Sequence, residues 1–181
     1  MRFFRALLWE FVQNLLLVAG FIGALWFWQQ SKYMLAVACV VVSSVAGALI
    51  IRITESKIVE GHREPVRVTL VNIAVMTVLM FASVAYLSAG WSSWKTDLLV
   101  GGLAGIALGV AQDLTVKKSI GIGHCIALAC SGPAALIGIR VLVAALSILV
   151  NTLIITAVVT LIIALVDYGP LMSAEQDKVG S

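Results

Sequence analysis

Between Ser119 and Val166 the chain carries a single formal charge, Arg140. One continuous helix over those 48 residues would be about 72 Å long at 1.5 Å per residue. A bilayer's hydrocarbon core is only about 30 Å thick. The stretch must therefore cross a membrane, turn and cross back. Two turn positions compete. One lies near Arg140, the only residue of the stretch that prefers water. The other lies at Ser131-Gly132-Pro133, where Pro133 would open a new helix and its missing N–H would cost nothing. The first is preferred.

The same pattern runs through the rest of the chain. Apolar runs fall at about 9–28, 34–51, 68–88, 98–111, 119–139 and 145–166, the fourth extending to Val116. Polar breaks at 29–33, 52–67, 89–97 and 112–118 separate them. The expected fold is all-α: a polytopic integral membrane bundle of six transmembrane helices. Composition agrees. The chain is 61% hydrophobic and 12% charged, with a mean hydropathy of +1.08. Soluble domains are about 45–50% apolar and about 25% charged. A water-soluble enzyme, a disordered chain and a nucleic-acid-binding module are excluded. The N-terminal run ends in aromatic and amide residues, not in a small-residue cleavage site. It reads as an uncleaved first span.

Basic residues give the expected orientation. With six spans, one side holds nine: Arg2, Arg5, Arg52, Lys57, Arg63, Arg67, Lys117, Lys118 and Lys178. The other side holds three: Lys32, Lys95 and Arg140. Lys and Arg accumulate in cytoplasmic loops, so both termini are expected in the cytoplasm and the chain in the inner (plasma) membrane. Trp26, Trp28, Trp91 and Trp94 then fall at the outer interface and Trp9 at the inner one, a depth that suits indole rings.

The two halves resemble each other. LLVAGFIGAL (16–25) matches LLVGGLAGIA (98–107), LAVAC (35–39) matches IALAC (126–130), and ALIIRI (48–53) matches ALIGIRV (135–141). LVNIAVMT (70–77) matches LVNTLIIT (149–156) in the same order. A mostly Leu, Val, Ala alphabet produces such matches by chance. Here the polar letters match too: Asn72 with Asn151, Thr77 with Thr156, Arg52 with Arg140 and Cys39 with Cys130. Three spans per copy would invert the second copy relative to the first. The expected organisation is a first repeat over 1–90, a second over 91–168 and a polar tail over 169–181. Inverted repeats recur in transporters, with the site near midplane between them.

Polar groups inside a bilayer are costly and mark candidate sites. The substrate-path candidates are Asn72, Asn151, Thr77, Thr156, His124 and Arg140. Each has a plainer alternative. The asparagines can simply lock helix packing, at about 0.6 kcal/mol for an average membrane hydrogen bond. Thr77, Thr156 and Thr160 can bond back to the carbonyl four residues earlier. His124 can satisfy itself on a neighbouring helix, and Arg140 can snorkel to the interface. Glu10 and Asn14 are i, i+4 neighbours and are expected at the interface. Asp113 and Asp167 are expected at solvated helix ends. Gly101, Gly105 and Gly109 form a small-residue ladder suited to close helix packing, favoured inside the protomer, where Gly20 and Gly23 give the first span a similar face.

His62, between Glu60 and Glu64, fits no metal motif. The three cysteines read as packing residues. There is no P-loop, HExxH, TVGYG filter or NPA pair. No catalytic residue, metal or cofactor is assigned, and an enzyme is disfavoured. The leading expectation is a small transporter or channel for a small neutral or weakly charged solute, bound between the third and sixth spans. The alternatives are a non-catalytic subunit of a larger membrane complex and, third, a membrane enzyme acting on lipid or quinone through His124 or His62. The expected partners are the lipid bilayer and a second copy or membrane-complex component, with no nucleic acid.

Overall fold

The structure is a computed structural model that describes residues 2–58, 66–90, 93–116, 122–143 and 147–167. Residues 2, 3, 5, 6, 54–58, 115–116, 142–143 and 166–167 are described by backbone only. The described residues form six α-helices: α1 (Arg2–Gln29), α2 (Tyr33–Ile58), α3 (Val66–Ser88), α4 (Trp94–Val116), α5 (Ile122–Val143) and α6 (Ile148–Asp167). All six are long and apolar enough to cross a membrane. The loop with His62, the residues Trp91, Lys117 and Lys118, and the tail from 169 onward lie outside the described residues.

Local chemistry sets the helix ends. Ser31 N–H donates to Trp28 O and Lys32 N–H to Phe27 O, closing α1 with a Schellman motif. Its left-handed position is Ser31, with φ 58°, where glycine is usual. The Lys32 carbonyl then accepts from Leu35 and Ala36 and starts α2. α3 ends at Ser88, and the turn after it holds Gly90, whose φ of 72° suits a residue without Cβ. Ser93 and Thr96 form a reciprocal cap on α4: Ser93 N–H donates to Thr96 Oγ1 (2.8 Å), and Thr96 N–H donates to Ser93 Oγ (3.3 Å). Ser147 caps α6 through Val150 N–H.

Pro133 does not open a helix. It lies inside α5, and the chain folds back after Val143, past Arg140. A proline within a membrane helix is tolerated where a neighbour packs closely on it. That neighbour is Gly101 of α4: a Cβ there would lie 2.5 Å from Pro133 N.

Successive helices run antiparallel and close into a ring in which each packs on the next and α6 packs on α1; α1 also touches α3. The N-terminal part of α1 and the C-terminal part of α6 share one end, the terminal end; the C-terminal ends of α1, α3 and α5 and the N-terminal ends of α4 and α6 lie at the far end. Glycines make the two tightest seams. In α1·α2, Gly20 meets Ser43, and a Cβ on Gly23 would lie 3.5 Å from Cys39 Sγ. In α4·α5, Gly105 meets the Leu128 carbonyl, and Gly109 faces Cys125 at 3.1 Å. Without water to expel, membrane helices associate through such close packing.

Only 28% to 44% of each span is buried inside the protein. The outward positions are large and apolar, including Met34 (82% exposed) and Leu149 (71%). That surface requires a lipid solvent, so the molecule is a multi-pass helical membrane protein.

Candidate functional site

A partly open cavity of about 200 Å³ lies between α1, α3, α4, α5 and α6. Its wall includes Phe21, Met76, Met80, Leu108, Leu136 and Ile139. The small residues Gly101, Ala104, Gly105, Gly132 and Ala135 contribute the space. The glycine seam thus has two consequences: it brings α4 against α5, and it leaves room beside them. An apolar cavity of about 150 Å³ in a protein interior stays dry and takes up small apolar molecules. This one has a similarly apolar wall but is partly open.

Three polar side chains reach the wall: Asn14, Ser83 and Ser131. Ser131 donates to its own helix at Leu128 O (3.1 Å). Asn14 is therefore the principal polar contact, 4% exposed. Its Nδ2 donates to Glu10 Oε1 and to Thr160 Oγ1, both at 3.2 Å. The amide ties α1 to α6 near the terminal end and is held in a fixed orientation at the cavity wall. Glu10 and Asn14 thus face the bundle interior. Glu10 is only 8% exposed, packed against its neighbours near the terminal end. Asp113, expected at a solvated helix end, is also buried, at 2%.

A second polar cluster lies at the far end. Arg140 Nη2 is 2.6 Å from Asp97 Oδ2. Tyr86 hydroxyl lies within hydrogen-bonding distance of Asp97 Oδ1 (3.0 Å) and Thr96 Oγ1 (2.6 Å). The cluster links α3, α4 and α5. Asp97 is fully buried in the first turn of α4, where the helix dipole favours a negative charge. The Arg140 side chain is 30% exposed, so it covers the carboxylate and keeps one side open.

That open side lines a second pocket of about 200 Å³, with Trp26 and Gln29 of α1, Leu87 of α3, Ile139 of α5 and Ile148 of α6. Ile139 belongs to the wall of both this pocket and the central cavity.

The candidates from the sequence are placed as follows. Asn72 of α3 and Asn151 of α6 are both buried, at 2% and 0%. α3 and α6 do not form a packed pair, so the structure does not bring the two amides together. Thr77 is half-buried. Thr156 is fully buried, and its Oγ1 has no hydrogen-bond partner among the described residues. The bond back to the preceding turn is made by Thr152, to Ile148 O at 2.8 Å. His124 is half-buried, with Nε2 3.1 Å from Gln112 Oε1, and joins α5 to α4. None of Asn72, Thr77, Asn151, Thr156 and His124 lines the central cavity.

Asp97 is the residue that the motif reading passed over, because it closes a polar break. A signal for it existed. It is the only carboxylate on the cation-poor side of the six spans, and Arg140 is the only charge in the last two. Two lone opposite charges at one membrane depth are natural partners. Among the described residues no cluster of His, Cys, Asp and Glu is suited to a metal. Comparison with known proteins gives no family: no family model, no curated protein and no solved structure matches this chain.

Proposed function

We propose that this protein is a small carrier of the inner (plasma) membrane for a small neutral or weakly charged solute with an apolar body, bound in the central cavity. The observation that carries the reading is that cavity: apolar walls from five helices, with one oriented amide, Asn14, among them. Ligand sites are typically mostly apolar, with a few placed polar groups that fix orientation. The nine-to-three distribution of basic residues favours cytoplasmic termini.

An inverted duplication accompanies the proposal. Gly20 and Gly23 correspond to Gly102 and Gly105 in the two matched segments. The first pair lies in the α1·α2 seam; Gly105 lies in the α4·α5 seam and Gly102 faces Ala129 of α5. Equivalent letters at equivalent seams are what a duplicated three-helix unit leaves. The subunit alternative loses one support, because the α4 glycines are used within the chain and do not offer a free face.

The test is solute exchange in proteoliposomes with radiolabelled octanamide, a neutral molecule with an apolar body. Protein-dependent, saturable exchange that is lost on filling the cavity with Ala135→Phe supports a carrier. Exchange no faster than that of empty vesicles overturns it.

A further inference from the structure

We propose that the far-end pocket is a headgroup subsite for an anion, and that the solute is a small amphiphilic monoanion, such as a carboxylate with an apolar tail. This inference rests on the central cavity being the solute site. Three observations lead to it. The pocket and the cavity share Ile139 in their walls, so they are adjacent, and a head in one and a tail in the other belong within one molecule's length. The pocket's side-chain polar groups include Arg140, a donor only, and Gln29, whose amide nitrogen can donate and whose oxygen can accept, with the Trp26 ring beside them. Asp97 uses one edge of the guanidinium, from Nη2. A guanidinium has five N–H donors, and the 30% exposed side of this one faces the pocket.

The arrangement also accounts for the buried carboxylate. Held by Arg140 and adjoining the Tyr86 hydroxyl, Asp97 fixes the guanidinium at the pocket and cancels most of its long-range charge. What remains is a short-range, directional donor set. Such a site reads a carboxylate on contact and does not attract every anion in solution. It also gives the carrier a physical purpose. An ionised head is held back at a bilayer by the cost of leaving water, which a donor set at the pocket offsets. The orientation of the solute follows: head at Arg140 near the far end, tail between Phe21, Met80 and Leu136.

The experiment compares octanoate, octanamide and octylammonium, which share a tail and differ in head. Equilibrium binding is measured on the full chain in phosphatidylcholine nanodiscs. In the wild type octanoate binds more tightly than octanamide, and octylammonium binds least. Arg140→Gln alone strands the buried Asp97, so the double variant Arg140→Gln/Asp97→Asn is the informative one. It lowers octanoate affinity by about tenfold, the effect expected for losing a hydrogen bond to a charged group, and leaves octanamide unchanged. Asp97→Asn alone frees the guanidinium and tightens octanoate. Equal octanoate affinity in wild type and double variant overturns the subsite while leaving the cavity reading intact. Failure of all three probes to bind the wild type overturns the cavity reading and the subsite with it. Adding phosphatidylglycerol distinguishes the source of the anion. If it displaces octanoate but not octanamide, the subsite holds a lipid phosphate, which overturns its assignment to the solute.

Discussion

At the scale of single residues, two polar clusters adjoin the pockets: Asn14 with Glu10 and Thr160, and Asp97 with Arg140, Tyr86 and Thr96. The second is the costlier to disturb. A buried ion pair adds little over well-packed apolar residues, but removing one partner leaves an uncompensated charge and costs about 3–5 kcal/mol. Arg140 is 30% exposed, so the lower end applies. Arg140→Met is expected to lose about 3 kcal/mol, measured by reversible unfolding in mixed micelles. Arg140→Met/Asp97→Asn is expected to recover most of that loss. Equal losses in the two variants would show that the pair does not act as a unit. The sequence hid this pair because its two members are 43 positions apart (140 minus 97) and one of them closes a polar loop.

At the scale of helices, glycine position decides which backbones touch. Neighbouring glycines of α4 make opposite predictions. A Cβ on Gly105 runs into the Leu128 carbonyl, which is backbone and cannot rotate away, whereas a Cβ on Gly102 lies 3.7 Å from Ala129 O. Gly105→Ala is therefore expected to destabilise by about 1–3 kcal/mol, as overpacking does, while Gly102→Ala is close to neutral. Thermal unfolding of the two variants in one detergent checks the difference.

Helices were the most legible level. The bilayer demands about 20 apolar residues per span, and no other constraint writes so strongly on a sequence. All six spans correspond to α1–α6. The return in the last stretch follows Arg140, because Ser147 supplies the cap that starts α6, while Pro133 is absorbed by contact with Gly101. The cavity was illegible for the opposite reason. Phe21, Met80, Leu108 and Leu136 are the same letters that face lipid elsewhere, and only their direction makes a site. Asn72 and Asn151 drew notice because they are polar and repeated. Their helices stand in different parts of the ring, so similarity in sequence did not translate into proximity.

At the scale of the whole molecule, a ring of helices, most of whose surface faces lipid, leaves a partly open chamber between five of them. Packing makes the chamber as well as the fold: the small residues that let α4 approach α5 also leave the space beside the Met80 and Leu108 side chains. The proposed carrier holds its solute's apolar body in this chamber. Anomalous diffraction from crystals grown with 8-bromooctanamide tests it most directly, because bromine marks the tail end. The expected result is a bromine peak inside the ring, among Phe21, Met80 and Leu136. A peak only in an outward-facing groove, such as that lined by Leu16, Cys39 and Val42, with none inside the ring, would contradict it.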